Sequence, residues 1–174
     1  PTLIGCFMSR KWVILAIIVL IYLPVSIDAT VLHVAIPTLS STLSLSANEM
    51  LWVIDIYSLI MAGLILPMGA LGDRIGFKRL MLIGASIFGV ASLMAAFANS
   101  AYMLIAARAF LGVGAAMILP ATLAGVRNTF LDEKQRNYAL GLWGTVGGGG
   151  AALGPLLGGF ILEHISWGTV FVIN

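Results

Sequence analysis

Long apolar stretches alternate with short polar breaks along the whole of this 174-residue chain. Residues at about 12–36, 50–71, 80–98, 101–126 and 138–162 each form a run long enough to cross a bilayer as a helix, which takes roughly 20 residues. Pro37 and the Ser/Thr-rich segment 38–46 are expected to end the first run. The glycine-and-charge stretch 69–79 reads as a loop between the second and third. Asn99 and Ser100 turn the chain before the fourth, the polar segment 127–137 precedes the fifth, and 163–167 turns it again. An apolar segment starting at about 168 reads as the beginning of a sixth span. Barrel strands would be about 10 residues long and would alternate in polarity, and no such alternation is present.

Composition agrees. The chain is 60% hydrophobic and 9% charged, whereas a soluble domain carries about 25% charged residues. Lipid is therefore the solvent for most of it, and spanning segments that must satisfy their own backbone are helices. The expected fold is all-α, a polytopic membrane bundle of five spans plus the start of a sixth. The single cysteine, Cys6, excludes an internal disulfide. Arg10 and Lys11 followed by apolar residues have the outline of a signal peptide, but the run continues past Asp28 without a small-x-small cleavage site. Met8 reads as a natural start, so residues 1–7 are expected to lie upstream of the native chain.

Basic residues orient the bundle. Arg10 and Lys11 precede the first span; Arg74, Lys78 and Arg79 lie between the second and third; Arg127, Lys134 and Arg136 lie between the fourth and fifth. The other connections contain no Lys or Arg, so eight of the nine basic residues fall on one side, which the positive-inside rule makes the cytoplasm. The N-terminus is then cytoplasmic, and the 127–137 charges, including Asp132 and Glu133, form a solvated loop.

The ninth basic residue, Arg108, and two acids, Asp28 and Asp55, lie inside apolar spans. Each costs about 2.5–3.5 kcal/mol at the middle of a helix on insertion scales, and such residues face the bundle interior and mark substrate or proton paths. At about 1.5 Å per residue, all three sit roughly 8–13 Å from the outer ends of their helices. That depth allows a buried acid–base cluster. Either Arg108 neutralises one aspartate and pins two helices together, or the group takes part in coupling, and the two roles are compatible. One arginine cannot neutralise two carboxylates, so Asp28 and Asp55 are the candidates for holding a proton or a cation. His33 lies about 140° around the helix from Asp28 and is expected to make an interfacial contact rather than to relay protons. Glu49, Glu163 and His164 belong to the outer interface. Trp52 and Tyr57 flank Asp55 and are either interfacial anchors or platforms for a flat organic cation.

Glycines are concentrated in the fifth span. Gly150, Gly154 and Gly158 recur every fourth residue and make one smooth face for close helix contact, while Pro155 favours a kink. In the fourth span Gly112 and Ala116 share a face with Arg108. In 69–79, Gly69 and Gly76 permit tight turns and close approach, Asp73 is placed to cap the third span, and the basic residues either anchor topology or meet anionic lipid.

These segments together resemble the major facilitator superfamily. Gly69, Leu71, Asp73, Arg74, Gly76 and Lys78 match its G-x-L-A-D-R-x-G-R-K signature, with Gly72 for the usual Ala and Phe77 for the usual Arg. Leu104, Arg108, Gly112, Gly114, Ala115 and Ala116 resemble its span-four motif, with Leu111 where Gln is common. Gly150, Gly154, Pro155, Gly158 and Gly159 match its antiporter motif. Asp28, Thr30, Val31, Val34, Ala35, Ile36 and Pro37 resemble the span-one motif of the fourteen-span drug:proton antiporters, with His33 where Asn is common, and 167–174 resembles the start of span six in that branch. Residues 52–57 are similar to bacterial methyl viologen and quaternary ammonium efflux pumps.

The resemblance implies the N-terminal half of a transporter in the bacterial inner membrane that exports lipophilic cations in exchange for protons. It implies a coupling role for Arg108, coupling or cation sites at Asp28 and Asp55, a gating role for Gly69, Asp73, Arg74, Gly76 and Lys78, and work against a C-terminal half outside this chain. The proton gradient drives such transport, so no cofactor, metal or nucleic acid is expected. The alternatives are an exporter of another small metabolite and a truncated, non-transporting membrane fragment. No nucleophile–base pair or metal cluster points to an enzyme.

Overall fold

A computed structural model describes residues 10–164 and 167–172. The described residues form six helices and no strand: α1 Arg10–Leu43, α2 Ala47–Ile75, α3 Phe77–Ala96, α4 Ala101–Thr129, α5 Glu133–His164 and the short α6 Thr169–Val172. Among the described residues, five helices are long and apolar enough to cross a membrane, and α6 is the first turn of the apolar segment expected near 168. The fold is an all-helical membrane bundle. Cys6 and residues 1–7 lie outside the described residues, as do Ile165, Ser166, Ile173 and Asn174.

Three expectations about the connections are corrected. α1 does not stop at Pro37 but runs through Pro24 and Pro37 to Leu43. Neighbouring helices make a proline tolerable in a membrane helix. Ser41 and Thr42 donate their hydroxyls back to the Thr38 carbonyl, at 2.9 and 2.7 Å, and so stay within the helix. The helix ends where Ser44 takes a positive φ of 51°, and Ser46 opens α2 with a capping box closed by Glu49.

The stretch 69–79 is not a loop. α2 continues to Ile75 and α3 starts at Phe77, so Gly76 alone turns the chain, at φ 92° where other residues are strained. Asp73 does not cap α3: the N-cap position is Gly76, and no side chain bonds there. Gly72 is the crowded position of this hairpin, since a Cβ there would lie 2.5 Å from the Phe77 ring. The 127–137 segment is largely helical too. α4 reaches Thr129, Asp132 accepts from the Gln135 amide at 3.0 Å as an N-cap, and Glu133, Lys134 and Arg136 form the first turn of α5.

α4 is the central helix. Of its most apolar window 56% is buried, against 11% for α2, whose remaining surface faces outward. α4 packs along both α2 and α3, and α1 packs along α5. Small residues set these distances. A Cβ at Gly112 would come within 2.7 Å of the Tyr57 carbonyl on α2, and one at Gly114 within 2.9 Å of Phe88 on α3. Gly150, Gly154 and Gly158 form the face that α5 lays on α1, opposite Ser26, Ile27, Thr30 and Val31. Thr30 locks the pair by donating to the Ala151 carbonyl at 2.7 Å. α6 docks beside them: Ser92 on α3 donates to the Phe171 carbonyl at 2.7 Å, and Val170 packs with Ile27, Val31 and Ile161.

The two kinds of α5 glycine separate in a stability test. At Gly154 a Cβ would lie 3.0 Å from the Ile27 carbonyl, whereas at Gly159 nothing stands within 4 Å. Gly154→Val is expected to cost about 1–3 kcal/mol through overpacking, read as a lower melting temperature in detergent. Gly159→Ala is expected to be neutral or stabilising, because alanine is the better helix former. Equal melting of the two variants would refute the packed α1–α5 face.

Candidate transport site

The centre of the bundle holds the two charges that lipid tolerates least. Asp28 on α1 is fully buried and Arg108 on α4 is 2% exposed. The Arg108 Nη1 donates to the Asp28 Oδ2 at 2.6 Å, the only salt bridge among the described residues. Arg108 Nε also donates to the Val53 carbonyl on α2 at 3.3 Å, and its guanidinium lies 4.5 Å from the centre of the Tyr57 ring. Tyr57 in turn donates to the Val25 carbonyl on α1 at 3.4 Å. One guanidinium thus draws together α1, α2 and α4 through a charge, a carbonyl and an aromatic face. Gly112, one turn further along α4, is what lets α2 come close enough.

Asp55 does not join this buried pair. It lies exposed on α2 and lines a cavity of about 160 Å³ together with Ala29, Leu32, His33, Ile54, Tyr57, Ser58 and Arg108. With Asp28 and Arg108 cancelling each other, the cavity carries the charge of Asp55. The expected cluster of three is therefore a neutralised pair with one carboxylate on an adjoining wall. His33, expected to point elsewhere, shares that wall. The 140° that separates it from Asp28 turns it away from the buried pair and toward α2.

The remaining candidates take different places. Tyr57 is buried with its ring engaged by Arg108, while Trp52 is 48% exposed and does not line the cavity, so the two do not form an aromatic clamp. Gly150, Gly154 and Gly158 press on the turns of α1 that flank Asp28, whereas Pro155 and Gly159 lie off that face. A Cβ at Gly69 would lie 3.9 Å from the Pro120 side chain, an ordinary contact. Asp73, Gly76 and Lys78 line a separate cavity of about 780 Å³ with Arg10 and Asn128, and Arg74 is exposed outside it. Pattern alone gave no sign of one further assembly. Tyr22 stacks on Trp143 with centroids 4.6 Å apart, and the Trp143 indole donates to Thr122 at 3.2 Å, tying α1, α5 and α4 together beyond the charged centre.

Breaking a buried pair by removing one partner costs about 3–5 kcal/mol because the other charge is stranded. Asp28→Asn and Arg108→Gln are each expected to destabilise by that order in denaturant titrations in mixed micelles. The double variant is expected to cost less than the two together, with an interaction energy on the order of 1–3 kcal/mol. Strict additivity would show that the pair is not coupled.

The comparisons with known proteins bear on this geometry. The sequence pattern of the Major Facilitator Superfamily matches residues 18–174. The chain is 67% identical over 167 residues to the methyl viologen resistance protein SmvA of Salmonella typhimurium, covering 96% of this chain and 34% of that protein. It is 47% identical to the multidrug efflux pump LfrA of Mycolicibacterium smegmatis, over 95% of this chain and 33% of the relative. It is 37% identical to a methylenomycin A resistance protein of Bacillus subtilis, over 92% of this chain and 34% of the relative. The chain thus spans about a third of the length of these relatives. With a matching pattern over most of its residues and membrane helices that set a buried charge pair beside a polar cavity, the chain belongs to the Major Facilitator Superfamily.

Proposed function

We propose that this chain is the N-terminal part of a proton-coupled exporter of lipophilic organic cations, such as quaternary ammonium compounds, methyl viologen and cationic dyes. The observation that carries this reading is the cavity that Asp55 lines beside the self-neutralised Asp28–Arg108 pair. A carboxylate whose charge is not cancelled by the neighbouring arginine attracts a cation, and a proton competes with that cation for the same oxygen atoms. The names of the relatives support the substrate class: one is a methyl viologen resistance protein and another a multidrug efflux pump.

The mechanism is alternating access in the bacterial inner membrane, with the N-terminus and the basic 74–79 and 127–136 segments cytoplasmic. Open inward, the ionised cavity takes up the cation. Open outward, protonation of the carboxylate releases it. Inward movement of one charge across the membrane supplies about 2.3 kcal/mol per 100 mV. Asp28 and Arg108 hold the helices that move. Gly69, Asp73, Arg74, Gly76 and Lys78 act as a gate against the second half of the transporter, and Gly150, Gly154 and Gly158 make the surface of α5 against which α1 shifts, with Pro155 and Gly159 letting that helix bend. Trp52, exposed one turn from Asp55, is the aromatic side chain available to an arriving cation.

Export of another class of small molecule is the second reading, favoured by the relative named for methylenomycin A resistance. A substrate panel on the full-length protein in everted membrane vesicles separates the two. Cationic dyes are expected to be pumped in the wild type, with pumping lost in Asp55→Asn and Asp28→Asn. Dye efflux at wild-type rate in both variants would overturn the assignment, and pumping of neutral compounds alone would favour the second reading.

A further inference from the structure

His33 is the titratable group for which the mechanism above has no use, and the cavity walls place it there. It projects from α1 into the space lined by Asp55, Tyr57 and Arg108. Its Nδ1 lies 3.3 Å from the Thr30 carbonyl one turn back. A carbonyl only accepts, so this bond puts the ring hydrogen on Nδ1 and leaves Nε2 as the basic atom. Among the described residues no hydrogen bond engages Nε2.

We propose that His33 is a second proton-binding group of the Asp55 cavity, one that discharges the pocket and so releases an organic cation. This inference rests on the cation-export reading. The charge count carries it. Asp28 and Arg108 cancel at 2.6 Å, so the arginine does not set the sign of the cavity. With a neutral imidazole the cavity carries the single negative charge of Asp55 and accepts a cation. A proton from water on the outer side binds Nε2, the cavity becomes neutral, and the cation loses its electrostatic hold without Asp55 itself being protonated.

No other ionisable side chain competes for this role. α2 contributes Asp55 and the phenol of Tyr57, whose hydroxyl is given to Val25. α4 contributes only Arg108. α5, on the far side of α1, presents the uncharged Gly154 and Gly158, and α6 presents Val170 and Phe171. Imidazole is the side chain whose charge changes nearest neutral pH.

The test uses the full-length protein in detergent and tetraphenylphosphonium, a lipophilic cation with no titratable group, with the dissociation constant measured from pH 5.5 to 8.5. Wild-type binding is expected to weaken as pH falls across this range, as the imidazole takes up a proton. His33→Asn keeps a donor for the Thr30 carbonyl but cannot take up a proton. It is expected to lose this pH dependence and to bind severalfold more tightly than wild type at the acid end of the range. His33→Lys carries a fixed charge and is expected to bind weakly throughout. Melting temperatures check that all variants are folded. A His33→Asn profile that follows the wild type, with binding lost in Asp55→Asn, overturns the role of His33 and leaves the export reading standing. Wild-type binding in Asp55→Asn overturns the export reading, and this inference with it.

Discussion

A guanidinium and a carboxylate 2.6 Å apart, both buried, govern the arrangement of α1, α2 and α4. Either charge alone inside an apolar bundle would be stranded, and their attraction in a medium of low dielectric offsets desolvation only when the geometry is close and the remaining donors are used. Arg108 meets that condition. Besides Asp28 it engages the Val53 carbonyl and the Tyr57 ring, so contacts from three sides fix where its head group lies. Lipid tails offer no hydrophobic drive for helices to associate, which leaves packing and polar contacts to hold the bundle. The charge network is one such polar contact, and it joins three helices at one head group.

Close approach is the second requirement, and small residues meet it. Gly112 removes the side chain that would keep α2 from Arg108, and the Gly150–Gly154–Gly158 face lets α5 rest against the α1 turns on either side of Asp28. The Gly150–Gly154–Gly158 stripe is thus a contact surface for the helix that carries Asp28. A shift of α5 along that face would be felt at Asp28 through Ile27 and Thr30. Pairing also has a consequence for chemistry. Because Arg108 is occupied by Asp28, the adjoining cavity keeps the charge of Asp55, and the two aspartates differ in surroundings for a reason of geometry alone.

Much of this was legible in the residues. Runs of apolar side chains with polar breaks disclose helices and their number because lipid imposes one solvent on every residue of a span. Asp28, Asp55 and Arg108 stand out for the same reason. The four-residue glycine period predicts a packed face, since i and i+4 positions lie above one another on a helix. The breaks were harder to read. Proline at 37 and serines at 40 and 41 end helices in water, where free backbone groups are readily solvated, but α1 continues through them to Leu43. The charged 69–79 and 127–137 segments look like loops by composition, but each is mostly helix, because one positive-φ glycine or one capping aspartate is enough to turn the chain.

The division between the two levels follows from the range over which the forces act. Hydropathy, helix period and charge placement are properties of neighbouring residues, and they determined by themselves that the chain is a helical membrane bundle with acids and an arginine at depth. Which acid the arginine takes is decided between positions 80 apart, by how α1, α2 and α4 cross. Only the tertiary structure gives Arg108 to Asp28, leaves Asp55 on a cavity wall, turns the Tyr57 ring under the guanidinium and brings His33 to the same space. The helical period fixes the angle between His33 and Asp28 on one helix. It says nothing about which neighbouring helix fills that angle, and packing alone supplies the answer.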